Sequence, residues 1–435
     1  MKKLHQFLLL LVSFLCLTGF FPAQAEGTDV DWAVSIPLNT ASETAKQQVT
    51  VKTFIDGDTV HFFVPESVIP GGVLKARFLA VNTPETTGKV EEYGKKAADF
   101  TRSRLENAHS IILESETDAW QKDTTGDRYL AWVWYQEAEG QPWRNLNIEI
   151  LQMGLARPNS SANNRYGDIC TKAIEQSKAR KLNLYSGQKD PDFYYGDAIE
   201  LTLKELRSNP EAYNGKKVAF NGVITMNSDN SVFLESYDAE TDMYFGLSVY
   251  YGYNLNGKGM EILTVGNEAR IVGTMQYYEA GETWQVSGLN YRMMKPRDPG
   301  NIQKLSDGHQ PAYVLTAPET FLHGKVTLQG EETSQEFDWA QLAVATSVEM
   351  KGLFVESIHT TRDGNSSQNG AMTLSCKAGD HPIQVRTTVF YDENKALISE
   401  DAYLGKTIDV KGIVDSFEGT YQIKVFLPSH ITVHP

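Results

Sequence analysis

Two carboxylates share one short turn in Ile55-Asp56-Gly57-Asp58-Thr59-Val60. Arg77 lies on the next extended run, and Thr83-Pro84-Glu85 follows it. Clustered carboxylates suit a hard divalent cation such as Ca²⁺, which takes oxygen ligands. The planar fork of an arginine pairs with two oxygens of a phosphate. A metal beside a phosphate clamp points to phosphodiester chemistry. Asp-Gly-Asp alone is a common turn, so the reading rests on the combination.

These groups need a scaffold. Residues 49–54, 59–64 and 74–81 read as strands, with turns at Asp56-Gly57 and Pro70-Gly71-Gly72. Residues 93–108 read as a helix, with Ala97, Phe100, Thr101, Leu105 and Ala108 on one face. Residues 111–114 and 129–135 return to strand, and helices fit 146–153 and 168–181. Five strands with helices packed on them predict an OB-type barrel, an α+β unit in a mainly β chain. Trp132 and Trp134 fall in a strand, where aromatics pack readily, so they read as core rather than as base-stacking groups.

Residues 49–187 resemble the staphylococcal nuclease (thermonuclease) family in six ordered blocks. These are Val51 to Val60; Arg77-Phe78-Leu79-Ala80-Val81-Asn82-Thr83-Pro84-Glu85; Tyr93-Gly94-Lys95-Lys96-Ala97; Gly126-Asp127-Arg128-Tyr129-Leu130-Ala131-Trp132; Met153-Gly154-Leu155-Ala156-Arg157; and Lys181 to Gly187. The resemblance implies Ca²⁺ ligands at Asp58, at Asn82 and at the backbone carbonyl of Thr83, with Asp56 the neighbouring acid. It implies a general base at Glu85 and phosphate-holding arginines at Arg77 and Arg128. Preplaced cations suit the charge that builds on the phosphoryl oxygens.

Three departures matter. Asn82 stands where the family usually carries a ligating aspartate, so weaker metal affinity is expected. Asp127 intervenes between Gly126 and Arg128, where the pattern has glycine directly before arginine. The tyrosines that flank the nucleotide in the best-known member are missing; the corresponding stretches read Asp123-Thr124-Thr125 and Arg157-Pro158-Asn159-Ser160-Ser161.

Residues 1–25 read as a bacterial secretory signal peptide: Lys2 and Lys3, an apolar run from Phe7 to Phe21, then Ala23-Gln24-Ala25. No second apolar stretch predicts a membrane span, so a secreted, extracellular protein is expected. Cys170 and Cys376 remain beyond the signal, in different segments, which argues against a disulfide framework. None of the nine histidines falls in a spacing that suggests a zinc site.

Beyond a polar leader at 26–48 and the nuclease-like segment at 49–187, the chain divides into a β-rich domain at 197–294, a linker and irregular segment at 295–340, and a second β-rich domain at 341–435. Asn214-Gly215-Lys216 to Ile224 and Leu404-Gly405-Lys406 to Val414 read alike, each a Gly-Lys turn, a strand and a later glycine. That pattern weakly resembles bacterial OB-fold modules; another β-sandwich or barrel remains open.

The charge is uneven. Residues 49–187 carry 17 Lys+Arg against 18 Asp+Glu, net −1, whereas residues 188–435 carry 20 against 33, net −13. The later half is expected to add no affinity for a polyanion. Tyr244, Phe245, Tyr250, Tyr251, Tyr253, Tyr277, Tyr278 and Trp284 read as half-buried strand aromatics rather than as a stacking platform for single strands. The later modules are expected to bind an unidentified surface, glycan or protein ligand.

The resemblance implies a secreted Ca²⁺-dependent, sugar-nonspecific nuclease acting on DNA and RNA and leaving 3′-phosphate ends. The alternative is a nuclease-like nucleic-acid or surface-binding protein whose catalysis is weakened by Asn82.

Overall fold

The computed structural model describes residues 29–434 apart from 87–88, 125–126, 229, 253–254, 330–333, 363–366 and 418. The predicted signal lies outside the described residues. In chain order, the first unit holds β1 (Lys46–Phe54), β2 (Thr59–Phe63), β3 (Val73–Phe78), β4 (Val81–Asn82), α1 (Gly94–Leu105), β5 (Ser110–Glu114) and β6 (Tyr129–Gln136). Next come β7 (Arg144–Asn145), α2 (Leu146–Gln152), β8 (Arg157–Pro158) and α3 (Gly167–Ala179).

Alternation builds this barrel. Leu74, Ala76 and Phe78 point into the core, whereas Lys75 is exposed and Arg77 half-buried. The strands run β3-β2-β1-β5-β6, and a parallel β3–β6 pairing closes the ring. Trp132, Trp134 and Tyr135 of β6 are fully buried. The helix α1 buries Ala97, Thr101 and Leu105 at four-residue spacing. From Trp32 onward the leader packs on the barrel's helices: the Trp32 backbone donates to Gln152 Oε1 at 2.6 Å, and its indole to Gln176 Oε1 at 3.0 Å.

The second unit comprises β9 (Ile199–Glu200), α4 (Leu203–Ser208), β10 (Lys217–Ser228), β11 (Ser231–Asp238), β12 (Met243–Tyr250), α5 (Lys258–Ile262), β13 (Glu268–Tyr278), β14 (Thr283–Ser287) and β15 (Gln303–Ser306). The third comprises β16 (Val314–Leu315), α6 (Pro318–His323), β17 (Lys325–Gln329), β18 (Ser334–Asp338), α7 (Trp339–Ala343), β19 (Ser347–Thr360), β20 (Met372–Ala378), β21 (His381–Thr387), β22 (Thr407–Phe417), β23 (Thr420–Val425) and β24 (Ile431–His434).

Both later units repeat the circuit of the first. Their rings run β10-β11-β12-β14-β13 and β19-β20-β21-β23-β22, closed by β13–β10 and β19–β22. In every ring the third strand lies parallel to the fifth. The chain is therefore mainly β, with an OB-type five-stranded barrel in the nuclease-like segment and two further barrel-like sheets.

Two readings change. The Gly-Lys segments that look alike occupy non-equivalent places, the first strand of one barrel (β10) and the fourth of the next (β22). They share a local need instead. Gly215 and Gly405 sit at φ 76° and 72°, where a side chain is strained. Segment 295–340 is not irregular; it carries β15, β16, α6 and the β17–β18 hairpin. Those hairpin strands bury only Leu328 and Phe337, so no hydrophobic period marks them.

The second and third barrels share one continuous apolar core, separate from that of the first. Gly246 of β12 lies so close to Ala345 that a Cβ would stand 2.5 Å from its carbonyl carbon. At this seam Glu235 is 2% exposed. It accepts from the Ala312 amide (2.7 Å), the Ser347 amide (2.7 Å) and Ser347 Oγ (2.9 Å). Burial still holds its carboxyl above the usual range. Cys170 and Cys376 lie in the two separate cores, and burial pushes both thiols up to about 12.

Candidate active site

The turn between β1 and β2 is closed by its own backbone. The amides of Ile55 and Asp56 both donate to the Thr59 carbonyl, at 3.1 and 3.2 Å, and the Asp58 amide donates to Asp56 Oδ1 at 3.0 Å. Thr101 of α1 donates its hydroxyl to the Gly57 carbonyl at 2.6 Å. A Cβ on Gly57 would stand 2.8 Å from Thr83 Cγ2 and 2.9 Å from Ala97 Cβ, so glycine permits the close approach of strand, turn and helix.

Asp58 is the hub. It is fully buried, and its Oδ2 accepts the Thr83 amide at 2.7 Å. Its Oδ1 accepts Thr59 Oγ1 at 3.1 Å and pairs with Arg77 Nη1. The other arm of Arg77, Nη2, reaches Asn82 Oδ1 at 2.6 Å. The β2–β3 register sets Arg77 opposite Thr59, beside Asp58. The parallel β3–β6 pairing aligns Ala76 with Tyr129, which brings Arg128 to the neighbouring strand start.

Arg128 donates to Asp123 Oδ2 at 2.6 Å and shares a field with Arg77, Asp56 and Glu85. Glu85 stands at the exposed rim. Its carbonyl accepts the Glu91 amide at 2.9 Å, and a Cβ on Gly94 would stand 2.5 Å from that carbonyl oxygen. The start of α1 thus fixes its backbone. Desolvation and the Asp56 carboxylate raise the Glu85 carboxyl above its usual range, against Arg77 and Arg128. Burial likewise raises Asp56, opposed first by Arg77.

The donor set fits a hard cation. The Asp58 and Asn82 Oδ1 oxygens converge on one guanidinium, so a positive group already occupies their common focus. Four carboxylates, Asp56, Asp58, Glu85 and Asp123, accompany two guanidinium groups, Arg77 and Arg128. The surplus is negative, and its oxygens suit Ca²⁺.

Sequence reasoning missed two participants. Asp123, next to Arg128, carries no motif of its own. Gln276 of β13 donates its side-chain amide to the Thr86 carbonyl, and Ser287 donates to the same side chain's oxygen. The second barrel therefore touches the residue after Glu85. Nearby, Arg102 pairs with Glu279, and a cavity of about 230 Å³ is lined by Asp56, Thr86, Arg102, Gln276 and Tyr277 among others.

The aromatic set does not form one face. Phe245 and Tyr251 are buried, Tyr277 and Tyr278 are exposed, and Tyr253 lies outside the described residues. Tyr277 instead packs on Trp284, with ring centroids 5.2 Å apart.

A closed barrel whose turn and third strand join carboxylates to paired arginines defines the OB-type nuclease class. Residues 75–187 match the family described as "Staphylococcal nuclease homologue". The chain is 31% identical over 139 residues to a protein named thermonuclease from Staphylococcus intermedius, covering 31% of this chain and 74% of that protein. It is 32% identical over 156 residues to the thermonuclease of Staphylococcus hyicus, covering 35% of this chain and 82% of that protein. The chain belongs to the staphylococcal nuclease family.

Proposed function

We propose that this protein is an exported, Ca²⁺-dependent nuclease that hydrolyses phosphodiester bonds of DNA and RNA and leaves 3′-phosphate ends. The observation that carries the reading is the convergence of Asp58 and Asn82 oxygens on Arg77, with Arg128 and Glu85 in the same electrostatic field. Asp58, Asn82 and the Thr83 carbonyl would hold the metal, which supplies Lewis acidity to a phosphoryl oxygen when bound. Arg77 and Arg128 bind the phosphate and neutralise charge that develops on it. Glu85 takes the proton of the attacking water at its rim carboxylate.

Relatives named thermonuclease support the activity. Among the described residues, no helix is long and apolar enough to cross a membrane. The sequence of residues 1–25 supports export.

The test is digestion of DNA and RNA by the chain with Ca²⁺, with Mg²⁺ and with excess chelator, followed by phosphatase-sensitive end labelling. Cleavage only with Ca²⁺, leaving 3′-phosphates, is expected. Binding without cleavage in all three conditions would instead favour the weakened nuclease-like binder.

A further inference from the structure

The geometry points to a second metal site, a His₂Glu site for a borderline-soft divalent cation such as Zn²⁺, formed by Glu319, His323 and His381 on the third barrel. Glu319 and His323 are four residues apart on α6, so they share one face of that helix. Phe321, 2% exposed, is the residue that anchors α6 to the core, and this leaves Glu319 and His323 at the surface. His381 arrives from a different element: it opens β21, against which α6 packs.

The three ligating atoms lie within 4.8 Å of one another. Glu319 Oε2 and His381 Nε2 stand 3.5 Å apart. A tetrahedral Zn²⁺ with bonds near 2.0–2.2 Å sets its ligand atoms roughly 3.4 Å apart. One pair already has that spacing, and the third atom closes by small side-chain rotations. The imidazoles are inclined at 59° with centroids 6.3 Å apart, so they are tilted rather than stacked.

An ion pair alone explains this grouping poorly, because Glu319 is 66% and His381 37% exposed, and such surface pairs contribute little. Two imidazoles and one carboxylate form a known ligand class for zinc, with a fourth position left to water. No spacing rule applied to the sequence finds this site. His381 lies 58 positions after His323 (381 − 323), and only the barrel brings them together.

Bound metal would tie α6 to the β20–β21 hairpin. The test is titration of the full chain with Zn²⁺ by calorimetry, with Ca²⁺ saturating so that the oxygen-rich site is filled. One Zn²⁺ per chain is expected, with a rise in melting temperature. Loss of an outer-sphere partner already costs about 10–100-fold in affinity. Losing a ligand in H323A or H381A should therefore weaken binding at least ~100-fold and abolish the thermal shift. E319Q should weaken it at least ~10-fold.

H434A is the control, since His434 pairs with Asp409 instead. The side chains concerned are at the surface, and circular dichroism checks each variant's fold. Absence of Zn²⁺ binding in the unaltered chain, or unaltered binding in both histidine variants, would overturn the site.

Discussion

The side-chain amide of Gln276 donates to the backbone carbonyl of Thr86, one residue beyond Glu85. A strand of the second barrel thus holds the loop on which the proposed base sits. Q276A removes this bond and the one Ser287 donates to the same side chain; loss of the tie to Thr86, worth about 1 kcal/mol, should lower turnover on short oligonucleotides roughly fivefold. A chain ending near Gly187 keeps its own core and should still cleave, at the same reduced rate. Steady-state kinetics of the two, side by side, checks this; unchanged turnover in Q276A would show that the contact is silent.

The two arginines should be separable. R77A and R128A should each lower turnover about 10²–10³-fold with the fold intact, as loss of one charge-stabilising donor does elsewhere. R77A should also tighten Ca²⁺, because Arg77 now occupies the oxygens of Asp58 and Asn82. Calorimetric Ca²⁺ titration of both variants decides, since R128A leaves those oxygens paired.

Asn82 offers one neutral oxygen where a carboxylate would offer a charge. Ca²⁺ affinity is expected in the weak range, roughly 10⁻⁴–10⁻³ M, and N82D should strengthen it. The added carboxylate still meets Arg77 Nη2, and the pairing of Asn82 with Arg157 is between strands and does not use the substituted side chain. A Ca²⁺ isotherm identical to that of the unaltered chain would remove Asn82 from the ligand set.

His61 of β2 supplies a pH signature. Burial, then Lys75 and Lys52, pushes its pKa down to about 4. Between an unfolded value near 6.5 and the folded value, the unfolded chain binds more protons. Stability contributed here is present above about pH 6.5 and is lost as pH falls toward 4, by on the order of 1–2 kcal/mol after solvent screening. H61Q should flatten that part of the curve in urea midpoints measured from pH 7 to 4.

The first barrel was largely legible because its signals are local. Leu74, Ala76 and Phe78 alternate, Asp56-Gly57 turns, and Ala97 to Leu105 keep helical spacing. The cluster of Asp58, Arg77 and Asn82 was legible as spacing and family pattern, because β2 and β3 are adjacent in sequence and in space. Gln276, Glu235 and His381 were not legible. Each acts across a docking surface between segments far apart in the chain, where no periodicity carries information. The β17–β18 hairpin escaped for a different reason: with one buried side chain per strand, it gives pattern reading nothing to detect.

The shared core and the Glu235 seam are expected to make the second and third barrels melt as one. Its two oxygens take three donors from Ala312 and Ser347 across a seam with no apolar boundary. In E235Q the amide group would face a backbone donor, leaving it unpaired at a cost of about 1–3 kcal/mol. That loss falls on both barrels together. Scanning calorimetry should show two heat absorptions, one for each core rather than one for each barrel, and E235Q should lower only that of the joined pair. The repeated circuit is threefold in topology, yet with two cores it is expected to unfold as two units, and a break near residue 187 is expected to leave the first core whole.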